Sequence, residues 1–393
     1  MRTATTTGGG TSPAALARAL LDTASIIRAV PGPMRVAPTE PVATGHLPPA
    51  QDLLDRLTTA LGLPGLDLVE APDRLTAVEL AVSRRLALRP PGAVAEDEVR
   101  QAARAALAAF PGPAVVVPAR DGTPLRCWVA GPRDAPAVAL VSACGMPVGL
   151  AAKWLSALSA EHRVVTWESR NLFAADDGTG LGEAGGHTLD AQSADVLDVL
   201  DGFGIAHAHA LGLCGGAVIA LAAAARSDRI TSLSLWHGDY ELGGDAPKTA
   251  HQQDIEALLA MVSRGRTQAA AMHRMMSRPS TLDTLRPDIA HHLIHPYATP
   301  DLLHRYGLLN GALMTADCRG LLDAPQPTLV VTSHRDTTAH PAGSAYVARR
   351  LPRAELRTLP HGDHLTAFDA AGELVALARD FLHTVTVPDR RGT

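Results

Sequence analysis

Apolar positions follow two rhythms along this chain, and the change falls near residue 112. Before it, apolar residues recur every three to four positions over about 14–28, Gln51–Leu61, Arg74–Leu88 and Ala95–Phe110, the spacing of helices with one buried face. Six prolines between Pro31 and Pro49 set the first helix apart, and Pro111-Gly112-Pro113 closes the region. Residues 1–13, rich in Thr and Gly, are expected to be disordered. From 114 onward, short apolar runs alternate with helical stretches. Ala114–Pro118 and Leu125–Ala130 flank Asp121-Gly122 as a hairpin. Ala137–Ser142, Arg163–Trp167, Ala208–Leu213, Ile230–Trp236, Thr328–Thr332 and Glu355–Thr358 read as six more strands. Helices are expected at Lys153–Ala160, Leu189–Phe203, Gly215–Ala225 and Glu373–Leu382. Such alternation implies an α/β class with a mostly parallel eight-stranded sheet.

The rhythm breaks between Tyr240 and Asp323, where a helical stretch rich in His and Met falls between the sixth and seventh strands. The expected organisation is a helical N-terminal module over 14–110, an α/β core over 114–239 and 324–385, and a helical lid over 240–323. Within the lid, His291, His292 and His295 raise the question of a metal. Adjacent histidines diverge on a helix and no carboxylate pattern joins them, so no metal is expected.

Composition narrows the function classes. With 393 residues, 46% hydrophobic and 19% charged, the chain can bury a large core. A net charge of −5 without any Lys/Arg-rich tract argues against nucleic acid as a partner. The four cysteines, at 127, 144, 214 and 318, show neither a disulfide framework nor a CxxC, which fits a reducing cytoplasm. Met1–Val30 lacks the continuous apolar run of a signal peptide, and the longest apolar stretch, Ala135–Ala152, is broken by Pro and Gly. No membrane span is expected.

The chemistry concentrates in Gly212-Leu213-Cys214-Gly215-Gly216, between an apolar strand and an Ala-rich helix. Composition predicts about 0.03 chance occurrences of Gly-x-Cys-x-Gly in such a chain. A strand–turn–helix of this kind is a nucleophile elbow, with Cys214 as nucleophile and with Gly212 and Gly216 lacking a Cβ where the chain is crowded. A helix opening at Gly215 aims its free N–H groups and positive dipole end at the sulfur, favouring thiolate. The nucleophile needs a base, an acid and an oxyanion hole. Asp336, after the strand at Thr328, and His364, after the last strand, complete the order nucleophile–acid–His. Asp239, ending the strand at Ile230, is the alternative acid, and His361 the alternative base. The Gly215 amide and the Met146 amide, in Cys144-Gly145-Met146-Pro147, are the expected oxyanion donors. Cys144 then lies near the site as a small buried side chain, with a redox role beside Cys214 the alternative.

Over roughly 114–385 these motifs resemble the α/β-hydrolase fold, in which insertions between the sixth and seventh strands form lids. Cys elbows within that fold occur in dienelactone hydrolases, polyhydroxyalkanoate synthases and stand-alone acyltransferases of nonribosomal peptide pathways. The long N-terminal extension, the cysteine position and Val165-Thr166-Trp167-Glu168-Ser169-Arg170 are similar to the last group, the syringomycin-pathway type. Ala217 departs from the Gly-x-Cys-x-Gly-Gly common in the last two groups. The resemblance implies that Cys214 accepts an acyl or aminoacyl group from one phosphopantetheinyl carrier protein and passes it to another, with no resident cofactor. Thiolate chemistry agrees, because exchange between thioesters is nearly isoenergetic whereas an oxyester would return its acyl group to a thiol uphill. Hydrolysis by a thioesterase or another Cys hydrolase is the alternative within enzymes. A non-catalytic binding protein of the same fold is the alternative outside them, and it should lack a triad member. Carriers are acidic, so a basic rim from Arg170, Arg319 and Arg335 is expected. Asp73-Arg74-Leu75 echoes the Asp-Ser-Leu of carriers themselves, but Arg74 replaces the serine and an ordinary helix start accounts for it.

Overall fold

The computed structural model describes residues 11–39, 47–89, 92–173 and 185–386. Most of the segment expected to be disordered, residues 1–10, and part of the Pro-rich stretch, 40–46, lie outside these. The described chain divides into two compact units, one of Met1–Gly112 with Ala270–Pro300, the other of Pro113–Ala269 with Asp301–Thr393. The insertion over 240–323 is therefore split: its middle joins the N-terminal unit and its two ends join the sheet-bearing unit.

The first unit is helical as its apolar spacing implies, with helices at Pro13–Asp22, Ala24–Ala29, Leu47–Leu61, Ala77–Leu86 and Glu96–Ala108. Residues 11–13 are ordered, against expectation: Ser12 caps the first helix, accepting from Ala15 N–H at 3.1 Å, and Pro13 suits its first turn. Leu16, Leu20, Leu54, Leu57, Val82 and Val99 are buried. The region that echoes a carrier is a helix start: Thr76 and Glu79 form a capping box, and Arg35 grips Glu79 with two nitrogens at 2.9 Å. The apolar spacing did not reveal two three-residue strands, β1 (Met34–Val36) and β2 (Leu66–Leu68), which pair in parallel. The inserted segment packs on Ala77–Leu86, with Ala77 N–H donating to Ser277 O at 2.8 Å.

The second unit holds the sheet. Its strands are β3 (Val115–Pro118), β4 (Pro124–Ala130), β5 (Ala137–Val141), β6 (Arg163–Trp167), β7 (Ala208–Leu213), β8 (Ile230–Trp236), β9 (Thr328–Ser333) and β10 (Ala354–Leu359). They lie in the order β10-β9-β8-β7-β5-β6-β4-β3, parallel from β10 to β6, with β4 antiparallel to β6 and β3 to β4. Burial on both faces explains the uniformly apolar runs of β5 and β7, and the helix Gly215–Arg226, with ten buried residues, explains the alanines after the elbow. The helix Pro341–Arg350 between β9 and β10 lies outside the expected helices; its buried positions are Gly343, Ser344 and Val347, of which only Val347 is a large apolar side chain. Parallel order places the ends of β5, β7, β8 and β9 on one edge, where loops can hold a site.

Candidate active site

Leu213 ends β7 and the next residue reverses the chain. Cys214 adopts φ 55° and ψ −125°, a conformation that a side chain occupies only under strain, and the helix opens at Gly215. Its N–H is held by Trp236 O at 2.9 Å, which ties the turn to the end of β8. The two flanking glycines are required by close approach. A Cβ on Gly212 would come 2.5 Å from Gly216 O, and one on Gly216 would come 2.2 Å from Val141 O.

The structure brings Cys214, His364 and Asp336 together. His364 lies close enough to the Cys214 sulfur for the two to interact, and its Nδ1 is 2.9 Å from Asp336 Oδ2. The other carboxylate oxygen accepts from Thr338 and Ala339 N–H, both at 2.8 Å, so the loop after β9 immobilises the acid. Asp363 caps the turn that begins at His364, accepting from Leu365 and Thr366 N–H. Burial opposes charge on His364, but the Cys214 sulfur first, and then Asp336 through its hydrogen bond and charge, hold its pKa well above the ordinary imidazole value. Burial likewise opposes ionisation of Asp336, yet the His364 hydrogen bond and charge bring its pKa below the carboxylate range.

The alternatives fall elsewhere. His361 is exposed. Asp239 is half-buried and accepts from Gln252 Nε2 at 2.5 Å, and desolvation pushes its pKa up. Its neighbour His237, not singled out as a site residue, packs edge-on to His364 with ring centres 5.9 Å apart. His237 donates to or accepts from Ser333 Oγ at 2.8 Å, and burial, then the charge of His364, brings its pKa down to about 4. A φ of 49° at His237 is the structural signal that separates it from the other described histidines.

The loop after β5 turns tightly. Ala143 O accepts from Met146 N–H at 3.2 Å, and Gly145 takes φ 77° at the corner, as a type II turn requires. The Met146 amide is thus engaged inside the turn rather than free, and serving an oxyanion means sharing that bond. Gly215, as the first residue of its helix, has an N–H without a partner in the helix. Two residues after β6 hold the loop on either side of Met146: Gly145 N–H donates to Ser169 Oγ at 2.9 Å and Val148 N–H to Glu168 Oε1 at 3.1 Å. Their place beside β5 is visible only once β6 is paired with it. Cys144 is buried, its thiol 3.6 Å from Gln192 Oε1, and burial pushes its pKa to about 12.

Of the three arginines expected at a basic rim, Arg170 is buried and paired with Asp195 and Asp121, so it is structural. A cation at the end of β6 with two carboxylates in reach is drawn inward. Arg319 is bound to Asp317 at 2.7 Å, and Arg335 is exposed. Among the described residues no helix is long and apolar enough to cross a membrane.

No family model matches the chain. It is 31% identical over 109 residues to 3-oxoadipate enol-lactonase 1 of Acinetobacter baylyi, covering 27% of this chain and 38% of that protein. It is 27% identical over 175 residues to L-allo-isoleucyltransferase of Pseudomonas savastanoi pv. glycinea, covering 44% and 61%. The chain thus spans less than two thirds of either. A carbamate hydrolase, by name, of Variovorax paradoxus is 27% identical, with 67% of this chain and 98% of that protein covered. Among solved structures, an enol-lactonase from Burkholderia xenovorans superposes with a TM-score of 0.55 at 23% identity, over 68% of this chain and all of that one. A hydrolase from Pseudomonas aeruginosa gives 0.53 at 24% identity, over 69% and 99%. Together with the strand order and the elbow, these likenesses establish that the chain has the α/β-hydrolase fold.

Proposed function

We propose that this protein is a cysteine-dependent acyltransferase that moves a thioester-bound acyl or aminoacyl group between phosphopantetheinyl carrier proteins. One observation carries the reading: the residue at the strained turn is a cysteine whose sulfur interacts with a buried His364, itself held by Asp336. In the first half-reaction the Cys214 sulfur attacks the thioester carbonyl. The bond to the pantetheine sulfur breaks, and that sulfur leaves with the proton of His364. Acylation ties up the Cys214 sulfur, whose interaction with His364 is the leading influence raising the pKa of that imidazole. The imidazole then becomes a base that accepts the proton of the incoming carrier thiol. The likeness to an isoleucyltransferase supports transfer.

The names of the lactonase and the carbamate hydrolase favour a second reading, in which water takes the place of the second thiol. Intact mass spectrometry with an aminoacyl-loaded carrier separates the two. Transfer predicts an adduct on wild type, absent from Cys214→Ala, that a second holo-carrier discharges faster than buffer does. Equal discharge with and without that carrier, with free acid released, selects hydrolysis.

A further inference from the structure

The first unit contains a group of side chains that the proposed reaction does not use. Asp22 ends the helix Pro13–Asp22, and His291 and His292 lie in the short helix Ala290–Leu293, where their ring centres are 3.9 Å apart. His291 Nε2 is 2.9 Å from Asp22 Oδ2, and His292 Nε2 is 3.6 Å from Oδ1. One ligand atom from each residue lies within 4.8 Å of the others, and both histidines are buried. Sequence spacing set this region aside because no carboxylate lay nearby. The fold supplies one from 269 positions upstream.

We propose that Asp22, His291 and His292 form a binding site for a divalent transition-metal ion, zinc before others, that clips the inserted segment to the first helix of its unit. Two imidazole nitrogens and a carboxylate oxygen are the donors that zinc takes when no thiolate is present, leaving a fourth position for water. Zinc bonds of about 2.0–2.1 Å in tetrahedral array put neighbouring ligand atoms roughly 3.3 Å apart. The 3.6 Å between His292 Nε2 and Asp22 Oδ1 is too long for a hydrogen bond and a few tenths of an ångström from that spacing. His292 also has its Nδ1 buried without a partner among the described residues. An ion at Nε2 gives this buried ring one strong partner and fixes its proton on Nδ1.

Arg85 completes the arrangement. Its Nε lies 2.5 Å from Asp22 Oδ2, which fixes the carboxylate's rotation and leaves Oδ1 for the ion; on binding, His291 Nε2 exchanges its hydrogen bond to Oδ2 for a bond to the metal. Its charge also weakens the attraction for a cation, so binding is tuned below that of a site without it. His295, the third histidine of the sequence trio, is not among the converging ligands.

The test uses the full chain carrying Cys214→Ala, so that the elbow thiol cannot take the ion. After chelator treatment and desalting it is titrated with zinc chloride, followed by calorimetry and melting. One equivalent bound, with a melting temperature several degrees higher and restored by chelator, is the expected result. Both responses should vanish when His292→Gln or Asp22→Asn is added, each checked for an unchanged circular dichroism spectrum. Absence of saturable binding to Cys214→Ala overturns the proposal, and so does binding that survives both added substitutions. Should neither added variant fold, cobalt(II) absorption of Cys214→Ala decides. Bands of a tetrahedral nitrogen–oxygen site support the clip, and the spectrum of hydrated cobalt alone overturns it.

Discussion

The two units each contain a histidine held 2.9 Å from an aspartate, and the pairs could hardly be set to different ends more clearly. In the sheet-bearing unit, His364 has the sulfur of a strained turn as its further partner, and one oxygen of Asp336 accepts from two backbone N–H groups that keep it still. In the N-terminal unit, Asp22 faces a second imidazole and a guanidinium, and no nucleophile adjoins it among the described residues. A His–Asp pair is thus chemically neutral on its own. The third partner decides whether it moves protons or holds a structure together.

Substitution is expected to break the comparison most sharply at the sulfur. Cys214→Ala should lower acyl transfer by about 10⁴-fold or more, leaving no adduct in the mass spectrum. His364→Gln and Asp336→Asn should follow, the latter at about 10²- to 10⁴-fold, measured as single-turnover acylation. A loss below tenfold for Asp336→Asn would assign the orienting role to another group, with His237 the first to test. Next come the residues that hold the Met146 turn. Ser169→Ala and Glu168→Gln should each reduce turnover by roughly ten- to a hundredfold with little change in melting temperature, because a displaced donor misses the transition state.

The pair in the other unit should behave in the opposite way. Asp22→Asn, without added metal, should cost about 1–3 kcal/mol in chemical denaturation and leave turnover within twofold. The smallest effect is on pH dependence of stability. The raised pKa of His364 makes its contribution complete below the usual imidazole range and lost as pH climbs through the raised value. The lowered pKa of Asp336 makes its contribution complete above the usual carboxylate range and lost as pH falls toward the lowered value. A melting curve against pH should show both limbs in wild type and neither from this pair in His364→Gln.

Local patterning carried much of this molecule. Arg163–Trp167, Ala208–Leu213 and Ile230–Trp236 occupy the spans expected from their apolar runs, since strands buried on both faces have no other way to be written. Cys214, Asp336 and His364 were nameable because each follows a strand end in a fixed order. What stayed hidden depends on partners far along the chain. Glu168 and Ser169 gain meaning from β6 lying beside β5, and Asp22 from a helix 269 residues away. β1 and β2, three residues each, are too short to show a period. Arg170 read as a surface cation because Asp121 and Asp195 stand far from it in sequence.

The divided N-terminal unit has a consequence for how the chain is made. Synthesis delivers residues 1–112 first, but the segment that completes their unit, 270–300, emerges only after most of the sheet has left the ribosome. Until then Ala77 N–H lacks Ser277 O, and Asp22 has Arg85 but neither histidine. The nascent N-terminal helices must wait with part of their apolar surface uncovered, which makes this the stage at which a chaperone would find the chain. Fragments ending before residue 270 should therefore expose that surface permanently.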